Sequence, residues 1–391
     1  GLAACLAAGL GLQALCLTGH ELRRRHGLVI VSLSWVLATV LGAIPFALSG
    51  HAGSYLDAMF DVMSGLTTTG LYLLQDLDHV SNGLNMWRFV LTFTGGQGIV
   101  VIALTFLFKG VGGGLYHLYS GEAKEDRLLP NVVQTARVIW LVSLGWLVVG
   151  TAVLSGAALA LGQSPVRAFL HGLWVFMGAF STGGFAPQSY NTFWYHSLLF
   201  EVLCIVVFVA GSLNFALHWA VWTGNRAELR RNIETRSFAV TLGILTLIAA
   251  SGLAQTGVYT DALPFVRKLF YLLVSGHTTT GFGTIYSRSL VTQWGPLAML
   301  AIIGAMVIGA SSCSTAGGIK GIRVVVIFKA FIEEVRRVLS PDSAVISSRY
   351  HHVRDRLLQD ATVRSVLLIT VAFIMLHAVV TTAGVLAGYP V

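Results

Sequence analysis

Ser275-Gly276-His277-Thr278-Thr279-Thr280-Gly281-Phe282 is one of three versions of the same phrase in this chain. The first version runs from Asp57 to Leu71 and ends Ser64-Gly65-Leu66-Thr67-Thr68-Thr69-Gly70-Leu71. The second runs from His171 to Phe185 and ends Gly178-Ala179-Phe180-Ser181-Thr182-Gly183-Gly184-Phe185. Aligned on Gly70, Gly184 and Gly281, the three agree without a gap, and an aromatic residue (Phe60, Trp174, Tyr271) stands ten residues before each glycine. Internal repetition marks an architecture assembled from like units, so the segments around these loops decide the fold.

Of 391 residues, 55% are hydrophobic and 11% charged, with a mean hydropathy of +0.75. Such a composition excludes an ordinary soluble domain. Apolar runs of roughly 20 residues, the length that crosses a bilayer, recur throughout. Cys5, Cys16, Cys204 and Cys313 are scattered, with no metal or disulfide spacing, and read as small core residues. The opening apolar run has no basic n-region or cleavage site, so it reads as the end of a longer hairpin and not as a signal peptide.

The chain divides into a helix and basic loop (1–26), a first pore repeat (27–109), a cytoplasmic loop (110–131), a second repeat (132–223), a cytoplasmic loop (224–236), a third repeat (237–339) and a linker with a further helix (340–391). Long helices are expected at about 27–48, 84–108, 132–161, 196–222, 237–255 and 362–386, with a further apolar run from 290 to 310. Each full repeat therefore reads as helix, short apolar element, Thr/Gly loop, helix. The short elements cannot span a bilayer and are expected to be re-entrant. Connections predicted on one side carry 20 Lys and Arg; the other side carries five, namely Arg88, Arg167, Arg267, Lys268 and Arg288. The positive-inside rule makes the first side cytoplasmic and puts the three Thr/Gly loops near the outer face. The net charge of +8 thus follows topology and does not indicate nucleic acid.

Irregular backbone at membrane depth persists only when packed in protein or lining a watery path. Glycine permits backbone angles that turn carbonyls toward an axis, and a ring of carbonyls replaces the hydration shell of a monovalent cation. A short helix before each loop points its partially negative C-terminus inward, which favours a cation. Asp57 and Asp61 either add negative charge at the outer mouth or stabilise a helix N-terminus. The competing explanation is that Ser-Gly and Thr-Gly pairs simply let helices pack closely. Three copies in register, each after a short helix and on one side, favour the carbonyl loop.

These stretches, together with Asp57-Ala58-Met59-Phe60, Gly95-Gly96-Gln97-Gly98 and Ser314-Thr315-Ala316-Gly317-Gly318-Ile319-Lys320, resemble the TrkH-type subunits of the Trk/Ktr/HKT potassium transporter superfamily over nearly the whole chain. The resemblance implies an all-α polytopic membrane fold, with helix–pore loop–helix repeats in a pseudo-fourfold arrangement around a central pore. It implies a transporter and not an enzyme, with potassium as substrate and no cofactor. Gly70, Gly184 and Gly281 become filter glycines, and Thr68, Thr69, Thr182, Gly183, Thr279 and Thr280 supply carbonyls beside them. A Ser in the first filter accompanies sodium transport in plant relatives, so Gly70 favours potassium. The implied partners are a second copy in a homodimer, a TrkA-like cytoplasmic nucleotide-binding regulatory subunit and membrane lipids, with no nucleic acid. The implied location is a bacterial inner membrane.

A second Gly-rich stretch, 311–319, lies too close to the third loop to be a fourth filter. Gly317 follows Gly281 by 36 residues, whereas the three loop glycines are 114 and 97 apart. Thirty-six residues cannot hold two spanning helices. The resemblance makes Ser314, Thr315, Ala316, Gly317, Gly318 and Lys320 a gate beneath the filter, and small residues suit a segment that moves aside; a helix break for packing is the alternative. Lys320 and Arg323 either face permeating ions or mark the cytoplasmic boundary. The spacing of the repeats puts the filter of a fourth, incomplete repeat near 405–414, past Val391. Glu201 and Asn214 fall in an inner helix, where a polar residue is functional by default or bonds a neighbouring helix. Tyr350-His351-His352 reads as a solvated loop and not as a metal site. Two rivals to potassium uptake remain, a sodium-permeable or weakly selective transporter and a non-conducting membrane scaffold.

Overall fold

The computed structural model describes residues 24–98 and 132–388, except 75, 342, 343 and 345, together with positions 11 and 14. The expected helix at 1–18 and the loop 110–131 lie outside the described residues. The first repeat comprises α1 (Arg24–Leu48), α2 (Tyr55–Leu66) and α3 (Asn82–Gln97). The second comprises α4 (Val132–Ala160), α5 (Pro165–Phe180), a 3-10 turn (Asn191–Tyr195), α6 (Leu198–Ser212) and α7 (Phe215–Trp222). After α8 (Glu228–Arg231), the third has α9 (Ile233–Thr256), α10 (Ala262–His277), α11 (Ser287–Gln293), α12 (Gly295–Ile308) and α13 (Gly321–Leu339). A hairpin of β1 (Arg349–His352) and β2 (Arg354–Leu357) precedes α14 (Asp360–Leu386).

Helices begin where the sequence provides an acceptor for an orphan N–H. Ser54, Ser81, Ser197 and Asn232 accept from Asp57, Leu84, Phe200 and Glu234, and Pro165 opens α5. Among the described residues, four segments are long and apolar enough to cross a membrane: Val29–Leu48, Gln134–Ala160, Ile233–Thr256 and Asp360–Leu386. The chain is a multi-pass membrane protein, and large apolar side chains such as Leu37, Val148, Leu247 and Leu368 coat its surface. Only 6% of the apolar window of α14 is buried, which leaves that helix a surface for lipid or protein to cover.

The interior is centred on α5. Trp174 stacks on Phe89 at 5.9 Å and Phe176 on Phe180 at 5.3 Å, while Phe208 of α6 and Phe93, Tyr271 and Phe282 from the other repeats join the same cluster. Smaller cores lie on either side, one among α1, α2 and α3 and one among α9, α10 and α12. The second repeat is therefore the hub against which the first and third pack.

Two expectations need correction. The inner helix of the second repeat is not continuous over 196–222; α6 and α7 meet at a 102° bend. Asn214 is the reason, because its side chain accepts the Ala216 N–H at 2.8 Å and starts a new helix. The polar linker is also not a solvated loop at Tyr350 to His352. It folds as a hairpin whose Tyr350 and His352 are buried and whose His351 bridges Glu228 of α8 (2.9 Å) and Asp355 of β2 (2.7 Å). No cluster of metal-ligating side chains occurs among the described residues.

The hairpin attachment titrates. The hydrogen bond to Glu228, then that to Asp355, raises the His351 pKa above its ordinary value. Burial opposes the charge of Glu228, but hydrogen bonds from His351, Asn232 and the Val353 N–H outweigh it and hold the carboxyl below its usual range. A raised histidine pKa contributes stability that is complete below the unfolded value and lost as pH rises through the folded one. Hydrogen exchange across 349–357 should therefore accelerate as pH is raised through the His351 titration, after correction for intrinsic rates. In His351→Gln that pH dependence should be absent.

Candidate functional site

The three aligned loops share one backbone. Thr67, Ser181 and Thr278 end the short helices α2, α5 and α10 with φ of −79°, −72° and −78°. The next residues, Thr68, Thr182 and Thr279, take positive φ of 54°, 51° and 56°, and the glycines Gly70, Gly184 and Gly281 take 80°, 69° and 80°. Non-glycine residues at positive φ are uncommon, so three threonines in register form a repeated, held strain.

Hydrogen bonds hold that strain. The N–H groups of Thr67, Thr68 and Thr69 turn back to Met63, Gly65 and Ser64; those of Ser181, Thr182 and Gly183 to Met177, Ala179 and Gly178; those of Thr278, Thr279 and Thr280 to Val274, Gly276 and Ser275. All nine lie between 2.8 and 3.2 Å. The loops thus spend their donors on the pore helices. Among the described residues, no hydrogen bond ends on the carbonyls of Thr68, Thr69, Thr182, Gly183, Thr279 or Thr280.

The loops stand side by side. A Cβ on Gly70 would lie 2.5 Å from the Gly183 carbonyl oxygen, and one on Gly184 would lie 2.2 Å from that of Thr280. A Cβ on Gly281 meets nothing within 4 Å. The order is first loop, second loop, third loop, with the second buried between its neighbours and Gly281 exposed at the end of the row.

Different groups fix the outer rim of each loop. Asp61, buried on α2, accepts the Leu73 N–H at 2.7 Å, so it is neither a helix-start residue nor an open charge at the mouth. Asp57 instead sits in the first turn of α2, where its N–H is capped by Ser54. Lys268 of α10 donates to the Thr284 carbonyl at 2.8 Å while reaching Glu201 at 3.4 Å. Glu201 also takes two bonds from Arg267, at 2.6 and 2.9 Å. The buried carboxylate that the sequence marks in α6 is thus a structural anchor for the third pore helix.

Beneath the loops lies the Gly-rich segment between α12 and α13. Its base is closed by Ile319, Lys320 and Gly321 donating to Val307, Ile308 and Ala310. Its crown touches two of the strained threonines: the Gly317 N–H donates to Thr279 Oγ1 at 2.6 Å, and the Thr315 and Thr182 hydroxyls are 3.3 Å apart. Thr315 Oγ1 also lies 2.9 Å from the Phe180 carbonyl oxygen and 2.8 Å from that of Gly211. Ser314 bonds the Ser311 carbonyl, and the Ala316 carbonyl accepts from Lys320 Nζ. The Ser312 N–H meets Glu234 of α9 at 2.6 Å, and Glu234 pairs with His352 at 3.6 Å. Arg323 bonds the Ile319 carbonyl at the segment's base.

The chain as a whole is similar to known cation transport proteins. The family model for TrkH, described as a cation transport protein, matches residues 1–385. An uncharacterized cation transporter of Methanocaldococcus jannaschii is 30% identical over 86% of this chain and 65% of its own length. The Trk system potassium uptake protein TrkH of Halomonas elongata is 33% identical over 84% of the chain and 66% of its own length. The crystal structure of the potassium transporter TrkH from Vibrio parahaemolyticus superposes with a TM-score of 0.73 at 25% identity, covering 94% of this chain and 73% of that one. The chain thus spans 65% to 66% of the length of these curated relatives.

The row of loops makes its glycines unequal. Gly70→Ala and Gly184→Ala drive a Cβ into a neighbouring backbone carbonyl and should each cost roughly 3 kcal/mol or more, overpacking added to strain. Gly281→Ala carries only the strain, about 1–2 kcal/mol. Thermal unfolding of the purified variants in detergent should place Gly281→Ala nearest the parent.

Proposed function

This chain belongs to the TrkH family of cation transport proteins, and from that premise we propose that its three Thr/Gly loops are walls of a selectivity filter for potassium uptake. Thr68, Thr69 and Gly70, Thr182, Gly183 and Gly184, and Thr279, Thr280 and Gly281 form it. The observation that carries this is the triple match of backbone angles, with donors turned to the preceding helices and, among the described residues, no hydrogen bond ending on the carbonyls of Thr68, Thr69, Thr182, Gly183, Thr279 or Thr280. Carbonyls so arranged replace the hydration shell of a dehydrated monovalent cation, and the C-terminal ends of α2, α5 and α10 add favourable potential.

Ser314 to Gly318 and Lys320 act as the gate. Support comes from their contact with Thr182 and Thr279 directly under the filter and from the Lys320 ammonium at the Ala316 carbonyl, a positive charge that opposes a cation on the same path. Movement of the segment requires releasing Thr315 from the Phe180 and Gly211 carbonyls. The working assembly is a homodimer in a bacterial inner membrane, with a TrkA-like nucleotide-binding subunit on the basic face that carries Arg226, Arg230, Arg231, Arg336 and Arg337.

Two measurements test this. The full protein should restore growth of potassium-uptake-deficient cells in limiting potassium, and potassium should outcompete sodium for flux into proteoliposomes; equal competition would make it a weakly selective transporter, and no flux a scaffold. Thr315→Ala, which removes one hydroxyl hydrogen bond of about 1 kcal/mol, should raise potassium flux about fivefold, with a larger rise on deleting Ser314 to Gly318. Unchanged or lower flux in both would contradict the gate.

A further inference from the structure

We propose that Asn191 is a specificity-determining positioning residue, whose side-chain amide couples the second filter loop to the third and sets the carbonyl of Gly184. The inference rests on the filter assignment above.

Asn191 opens the 3-10 turn and holds a left-handed backbone, φ 55°, a conformation asparagine tolerates better than most residues. Its Oδ1 accepts the backbone N–H of Thr192 at 2.7 Å and of Gly283 at 3.3 Å, while Nδ2 donates to the Gly184 carbonyl at 3.3 Å. Two backbone donors on one side and a backbone acceptor on the other fix the orientation of the amide. Gly184 is the glycine of the second loop, and Gly283 lies two residues beyond that of the third. One amide therefore spans adjacent walls.

The same turn grips Gly283 from its other side. Thr192 Oγ1 and the Phe193 N–H donate to the Gly283 carbonyl at 2.9 and 3.1 Å, and Tyr271 Oη braces Thr192 Oγ1 at 3.0 Å. Tyr271 is the aromatic that stands ten residues before Gly281, so the brace begins in the third pore helix itself. Thr192 and Tyr271 are both buried.

Among the described residues, the carbonyls of Gly70 and Gly281 receive no such donor; Gly184 is the filter glycine whose carbonyl is engaged by a side chain. An N–H on a carbonyl oxygen competes with a cation for its lone pairs and pins its direction. Selectivity between cations of different radius depends on the position and field strength of coordinating carbonyls. Asn191 thus acts on discrimination through Gly184, beyond holding the fold.

The test uses the full protein in proteoliposomes, comparing potassium uptake with and without competing sodium. Asn191→Asp is isosteric, keeps an acceptor for Gly283 and Thr192, and places an oxygen against the Gly184 carbonyl. Asn191→Gly keeps the left-handed turn and removes the amide. Both should reduce the preference for potassium over sodium by about three- to tenfold, the factor of one hydrogen bond, while the protein still conducts potassium. A potassium-selective parent with unchanged preference in both variants would overturn the role of Asn191 alone. A fall in uptake of all cations at constant preference would equally reduce it to a structural residue. A parent with no potassium-selective flux would overturn the filter assignment and this inference with it.

Discussion

Every backbone N–H and C=O held within a membrane needs a partner, and the architecture follows from how this chain meets that demand where it is not helical. Three loops return their N–H groups to the short helices that precede them, and among the described residues no hydrogen bond ends on the carbonyls of Thr68, Thr69, Thr182, Gly183, Thr279 or Thr280. Two helix breaks satisfy one another. The carbonyls freed at Gly211 and Ser212 take Thr315 and Ser311 from the segment between α12 and α13, and the Phe215 N–H takes Cys313. Neither break is stable in isolation at that depth. Together they make an irregular layer beneath the loops, and that layer is where an obstruction can sit and move.

The breaks also obey the repeat. Gly98, Ser212 and Gly309 each stand 28 residues after the loop glycine of their own repeat, and each adjoins the end of an inner helix. The three helix ends thus fall at one position of the repeat, and after the third comes the irregular segment that leads to α13. Glycine permits close approach at two of these ends. A Cβ at Gly95 or Gly211 would lie 2.0 Å from the carbonyl oxygen of Leu66 or Phe180, the equivalent last residues of α2 and α5. There α3 ends against α2, and α6 against α5, because no side chain separates them.

The sequence made the mostly helical membrane architecture legible through apolar runs of spanning length and a threefold phrase, but not the hairpin of β1 and β2. It also aligned the threonines and glycines that adopt matching backbone angles. It hid the features that depend on contacts across repeats. Asn214 reads as a polar residue inside an apolar helix, and only the partners offered by 311–315 make recapping there affordable. Asn191 carries no periodic signal, because its amide matters through Gly184 and Gly283, which are distant in sequence. Tyr350-His351-His352 looks solvated until Glu228 of α8 and Glu234 of α9 pair with its imidazoles. A lone acidic residue such as Glu201 at the start of an apolar helix is a detectable signal of this kind, since such a charge demands a partner.

The central claim is that the unpaired loop carbonyls bind a dehydrated monovalent cation. Determining the structure of the full protein in thallium or rubidium, heavy analogues of potassium, tests it directly. The account predicts density on the axis between the loops, coordinated by the carbonyls of Thr68 and Thr69, Thr182 and Gly183, and Thr279 and Thr280. An axis without heavy-atom density at saturating cation, or density bound only by side chains elsewhere, would contradict it.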